Sequence, residues 1–249
     1  MAKELTIDDY PFEEGEWNFY SQNIRKKYGW KGWYKQFWHH IRRPWSRSQI
    51  SEFAPLGVGL EVGCGEWTIA PVRRTILSDA FEEHVGNQSL AKVYFPADNI
   101  PYPNESFNFI LSEHVLEHLI DPSSVLVEWM RCLRSGGKII LFLPDKDRIF
   151  DAKRPRTRLS ELISRRDNKE GETQRLLNEW IDYVIKDGLA PHYIDLSPEE
   201  MVQTGSIHYN VWKVEDIQEL AEHIGYTVLK TEPSVPDRSD SFMAVLSKP

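Results

Sequence analysis

Apolar positions gather into short runs from residue 58 onward, punctuated by polar stretches rich in glycine or proline. The first run, Val58 to Val62, breaks into Gly63-Cys64-Gly65, the pattern of a buried strand closing in a glycine turn. Arg74 to Ser78 predicts a second strand, ended by Asp79. Only about a dozen residues join the two, with Pro71 among them, so one helical turn fits there and a full crossover helix does not. Residues 91–98 read as a short third strand ending at Asp98, and Phe107 to Leu111 as a fourth. Asp121-Pro122 opens a helix with Val125, Leu126, Trp129, Met130 and Leu133 on one stripe, and Ser135-Gly136-Gly137 ends it. Lys138 to Leu143 is almost wholly apolar, the mark of a strand buried on both faces. The alternation then stops from about 146 to 206, a polar, helix-prone stretch too long for a plain loop, read as a helical insertion over the strand ends. Val214 to Ile224 predicts a helix capped by Gly225, and Tyr226 to Lys230 with Ser241 to Ser247 a closing hairpin. The class expected is α/β, a doubly wound sheet of seven strands with an antiparallel last strand.

Residues 1–50 stand apart as a helical extension before a main domain at 51–249. Trp30, Trp33, Tyr34, Phe37, Trp38 and Ile41 fall on one helix face, and Pro44 is expected to stop that helix. Between Asn18 and Ser51 there is no acidic residue, but there are eight basic ones, while the whole chain carries −8. Three readings fit this segment: a stripe packed on the core, a helix (residues 24–48) lying on an anionic membrane surface, or an aromatic and arginine handle for an anionic or glycan substrate. The strongly acidic remainder argues against nucleic-acid binding.

At 41% hydrophobic and 27% charged residues, the composition is that of an ordinary globular protein. No apolar run is long enough to span a bilayer, and the acidic N-terminus lacks the apolar core of a signal peptide. Cys64 and Cys132 are the only cysteines, which suggests a reducing, cytoplasmic setting.

Four stretches in this order, LEVGCG at 60–65, Asp79, Asp98-Asn99 ahead of PYPNESFNFI, and SEHVLEHL at 112–119 followed by LRSGGKIILFLPD, resemble the class I S-adenosylmethionine-dependent methyltransferases of type 11, with their Rossmann-like sheet. The resemblance implies that Glu61, Gly63, Cys64 and Gly65 surround the methionine part of the cofactor and that Asp79 meets the ribose. It likewise places Asp98 and Asn99 on the adenine side, and Ser112 and Glu113 facing the sulfonium. A cationic sulfonium and ammonium want carboxylates nearby, and ribose hydroxyls want an acceptor. Glu66-Trp67 replace the usual third small residue of the turn. Ala70-Pro71, Pro144-Asp145-Lys146 and His208-Tyr-Asn-Val-Trp212 resemble a branch associated with polysaccharide synthesis.

Methyl transfer to a hydroxyl calls for a general base. His114, Asp145 and His208 are the catalytic candidates; Arg154, Arg156 and Trp212 are candidates for holding the substrate. His114-Val-Leu-Glu117-His118 also spells H-x-x-E-H, a zinc-protease pattern, but no third ligand is evident in the sequence and no metal is expected. The reading is O-methylation of a sugar or glycan by S-adenosylmethionine. Its rivals are an inactive methyltransferase-like scaffold and a small-molecule methyltransferase outside glycan synthesis.

Overall fold

A computed structural model describes residues 6–84, 86–165 and 168–249. The apolar runs assemble into one sheet of β1 (Gly59–Val62), β2 (Thr75–Asp79), β3 (Val93–Tyr94), β4 (Phe107–Glu113), β5 (Leu133–Pro144), β6 (Thr227–Glu232) and β7 (Ser241–Ser247), in the order β3-β2-β1-β4-β5-β7-β6. The first five strands run parallel, and β7 enters antiparallel between β5 and β6. The chain order reverses between β1 and β4, so their carboxyl ends open the crevice where ligands bind in such sheets.

Side chains alternate across the sheet and build two cores. Ile139 and Leu141 face one with Leu60, Ile76, Ile110 and Phe242; Ile140 and Phe142 face the other with Leu77, Phe109, Leu111 and Val245. The first face is covered by α3 (Pro122–Cys132), through Leu126 and Trp129, and by α7 (Val214–Ile224), through Ile217 and Leu220. Asp121 caps α3 by accepting the Ser124 N–H at 3.1 Å. Gly225, at φ +107°, ends α7 in the left-handed conformation that glycine alone adopts freely.

The second face has no crossover helix between β1 and β2, only the turn Val72–Arg74. The N-terminal extension covers it instead. Phe19, Tyr20 and Ile24 pack there with Ile50 of α2 (Pro44–Phe53), while α1 (Ile24–Ile41) runs on above the strand ends. Two expectations change here. Gly29, at φ +66°, breaks the α1 spiral, and Pro44 starts α2 at its first helical position rather than merely stopping α1. The aromatic stripe also splits: Trp33 packs against the second core, whereas Trp30, Tyr34 and Trp38 are exposed. The third strand is shorter than expected because Pro96 has no N–H to give the ladder; Phe95 and Ala97 leave the sheet and fill the first core.

From 146 to 206 the chain forms α4 (Leu159–Arg165), α5 (Lys169–Trp180), α6 (Pro198–Gln203) and short turns, with a third core around Trp180, Val184, Met201 and Ile207. Among the described residues no helix is long and apolar enough to cross a membrane, and both cysteines are free and buried.

The extension is fastened by polar contacts. Asp237, between β6 and β7, accepts the Ser46 N–H at 2.9 Å and its hydroxyl at 2.5 Å, and lies 3.5 Å from Arg43. Asp237→Ala strands both Ser46 donors and removes one of the two carboxylates beside Arg43. It should cost roughly 2–4 kcal/mol in urea denaturation and hasten proteolysis ahead of residue 58; an unchanged midpoint would show that the extension is held by apolar packing alone.

Candidate active site

The glycine turn after β1 is held from both sides. The Gly63 and Cys64 N–H groups donate to the Ser78 carbonyl at 2.9 and 3.0 Å, and Gly65 N–H donates to Asp79 Oδ2 at 2.8 Å. Gly63 (φ +73°) admits no side chain, since a Cβ would meet Val115 Cγ2 at 2.3 Å. Gly65 (φ +55°) has open space where its Cβ would be, so a ligand can approach the bare backbone. Asp79 also accepts from the Ser89 hydroxyl at 3.1 Å and the Phe81 N–H at 3.2 Å, leaving little of its acceptor capacity unused. Burial pushes the Cys64 thiol well above its usual range, which leaves it an inert wall.

These groups line a cavity of about 400 Å³ at the ends of β1, β2 and β4, together with Glu61, Glu113, His114, Ser89, Asn87 and Tyr193. Two buried acids there have opposite fates. Glu61, 2% exposed, has the Thr68 hydroxyl as its one donor among the described residues; burial pushes its carboxyl up to about 8, with Glu113 and Asp79 adding repulsion. Burial alone would raise Glu113 too, but the guanidiniums of Arg238 and Arg43 outweigh it and bring it down to about 2. Glu113 is thus ionised and paired by the protein, whereas Glu61 keeps its proton.

His114 follows β4 at φ +53°, a strained conformation for a non-glycine residue. Its Nε2 lies 2.7 Å from Ser241 Oγ, whose single proton goes to Asp240 Oδ1 at 2.7 Å. Ser241 can then only accept from the ring, so Nε2 carries the hydrogen and Nδ1 the lone pair. Burial, with Arg238 nearby, holds the imidazole well below its usual range.

The other sequence candidates sit elsewhere. Ser112 is buried and ties β4 to β1 through the Val62 carbonyl at 3.2 Å. Asp98 and Asn99 are exposed and outside the cavity lining. Asp145 caps the following turn through the Asp147 N–H and pairs with Arg148 at 3.2 Å. Arg154 is buried between Asp151 (2.7 Å) and Glu179 (3.0 Å), Arg156 pairs with Asp216 at 2.8 Å, and Trp212 fills the first core. His208 is buried against Asp151, 2.6 Å away. H-x-x-E-H does not lie on a helix: left-handed His114 precedes a 3-10 turn, Leu116–His118.

Sequence reasoning missed His39, Trp67 and Arg238. His39 stacks on Trp67 at 5.1 Å, and both form the cavity's outer wall with Arg238. Their side chains also wall a neighbouring cleft of about 770 Å³, lined by Tyr34, Lys35, Trp38, Arg42 and Arg43. The aromatic and basic pattern of α1 was the available signal; nothing local marks Arg238.

The donor set fits S-adenosylmethionine. Two carboxyl groups, Glu61 and Asp79, face the cavity beside a bare glycine backbone, and Glu61 lacks a counter-charge that a cationic ligand supplies.

Residues 60–141 match the family model described as a methyltransferase domain. A curated but uncharacterized protein of Methanocaldococcus jannaschii is 30% identical over 102 residues, 39% of this chain and 50% of that one. The match thus spans about half the length of that relative. Among solved structures, a Thermotoga maritima S-adenosylmethionine-dependent methyltransferase, described as a possible histamine N-methyltransferase, superimposes with a TM-score of 0.50 at 17% identity, covering 91% of this chain and 99% of that one. A Haloferax volcanii complex of a methyltransferase with its activator Trm112 gives 0.51 at 11% identity, covering 95% and 99%. Likeness at such identity speaks to the fold. Residues 60–141 are thus similar to a methyltransferase domain within a fold shared with these solved structures, and S-adenosylmethionine is the cofactor that such a domain implies.

Proposed function

We propose that this protein transfers a methyl group from S-adenosylmethionine to a hydroxyl of a sugar- or glycan-type acceptor. The observation that carries the reading is the cavity at the β1/β4 switch point, where Glu61 and Asp79 face the open side of Gly65. The cofactor supplies an electrophilic methyl on a cationic sulfur. Glu61 balances positive charge in a site where Glu113 is already paired. Asp79 rigidifies the turn through the Gly65 N–H and presents its remaining acceptor capacity to the ribose.

His114 is the proposed general base. Ser241 and Asp240 fix its tautomer so that Nδ1 takes the hydroxyl proton. The adjoining cleft supports the acceptor class. Trp38 and Tyr34 offer faces for a sugar ring, and Arg42 offers a fork for an anionic group, next to the cofactor cavity. The motif branch associated with polysaccharide synthesis agrees with that acceptor, and two free, buried cysteines suit a reducing compartment. The exposed Trp30, with the Arg25 guanidinium 3.9 Å above its ring, keeps peripheral membrane contact through residues 24–48 as a second use of the same helix.

Calorimetry should show S-adenosylmethionine binding that weakens at least about tenfold in Asp79→Ala, a loss of one hydrogen-bonded contact to charge. Failure of the native protein to bind would favour a scaffold. His114→Asn keeps a residue tolerant of positive φ; in a methyl-transfer screen over nucleotide sugars and glycan fragments it should lower kcat by about 10²–10⁴ with cofactor affinity unchanged. Full activity in that variant would remove His114 as the base.

Glu61 generates a pH signature in the cofactor-free protein. Its carboxyl is raised from 4.5 to about 8, so the folded chain keeps a proton that the unfolded chain has released. Stability conferred on the fold therefore falls as pH rises from about 4.5 to 8. Glu61→Gln should flatten that decline in melts across the window while weakening S-adenosylmethionine binding. An unchanged slope would mean that Glu61 is ionised in the fold.

A further inference from the structure

We propose that Glu117, His118 and His208, beside His114, form a binding site for one divalent transition-metal ion. The 3-10 turn after β4 buries Glu117 completely and sets His118 beside it. The third donor comes from about ninety residues further along the chain. Asn210 donates its N–H to the Glu117 carbonyl at 3.1 Å and its side-chain amide to the Leu116 and Leu119 carbonyls at 3.2 and 2.7 Å, which lays His208 across the turn. One donor atom from each of the three residues then lies within 4.8 Å of the other two. Two opposite ligands on one ion, with bonds of about 2.2 Å, stand about 4.4 Å apart, so small side-chain shifts close the set.

Among the described residues, neither Glu117 oxygen, both buried, has a hydrogen-bond partner. Such a group is costly unless something compensates it. His118 Nε2 is 3.8 Å from Glu117 Oε1, too long for a hydrogen bond but suited to two ligands of one cation.

Both rings are held from behind as metal-binding histidines are. His118 Nδ1 sits 3.1 Å from the Ile207 carbonyl, and His208 Nδ1 sits 2.6 Å from Asp151 Oδ2. Each Nδ1–H donates outward and leaves the Nε2 lone pair for the cluster. Arg154 locks Asp151 at 2.7 Å and also donates to the His208 carbonyl at 2.8 Å. His118, Phe150 and Trp180 crowd the His208 ring, with centroids 4.7, 4.9 and 5.3 Å away. Two imidazoles and a carboxylate select a borderline ion such as zinc, cobalt or nickel over magnesium or calcium.

Three protein donors leave a coordination position for an outside oxygen. His114 Nδ1 is 3.5 Å from Glu117 Oε1, so that position adjoins the proposed base. An acceptor hydroxyl bound there would meet both; this last step rests on the methyltransferase reading, while the metal site itself does not.

The test uses the full chain, stripped with a chelator and titrated with Co²⁺ and, separately, Zn²⁺. One equivalent should bind, with Co²⁺ giving visible ligand-field bands and either ion raising Tm. Glu117→Gln and His208→Asn should each weaken binding at least tenfold and abolish the bands, whereas His223→Ala, on the exposed face of α7, should not. Native protein that binds neither ion, or binding that survives both cluster variants, would overturn the site, and the native titration decides the matter even if a variant fails to fold. Calorimetry with S-adenosylmethionine on the stripped protein keeps the two proposals apart: cofactor binding without metal binding removes only the metal site, and the converse removes only the methyl-transfer reading.

Discussion

The connection between β1 and β2 is too short to carry a crossover helix, and that shortage governs the molecule. A parallel sheet must be covered on both faces. With only the turn Val72–Arg74 in the connection, the second face would expose Phe109, Leu111, Ile140 and Phe142 to water. Burying a side chain of that size contributes on the order of 1.5–3 kcal/mol, so the face demands a cover. The N-terminal extension provides it, and because it reaches the sheet from outside the usual order, it also carries α1 over the strand ends. The wall of the cavity is thus a by-product of completing the core.

Electrostatics at the strand ends follows from the same arrangement. Arg43 arrives with the extension and Arg238 with the β6–β7 hairpin, and both converge on Glu113. Glu61, one residue before the end of β1, receives no such partner among the described residues. Two acids that line one cavity therefore differ in charge state because of which distant segments reach them. The strained His114 lies between this acidic cavity and the Glu117–His118–His208 cluster and belongs to the walls of the first while touching the second.

Legibility from sequence tracks how local the cause is. Val214–Ile224 and its Gly225 cap, the Asp121-Pro122 start of α3 and the buried β5 run were all readable, because cap chemistry and periodicity act over a few residues. The brevity of β3 was readable only in hindsight, from the missing N–H of Pro96. Arg154 and Arg156 looked like substrate grips, but the insertion consumes them in ion pairs with Asp151, Glu179 and Asp216, which no local pattern foretells. The motif H-x-x-E-H was visible, yet its third neighbour, His208, reaches it only through the Asn210 contacts.

His39, Trp67 and Arg238 wall both the 400 Å³ cavity and the 770 Å³ cleft beside it. A partition with two tenants cannot relax toward one without changing what it offers the other. A ligand that shifts that partition on one side would change the wall offered to the other, and any such coupling would run equally in both directions.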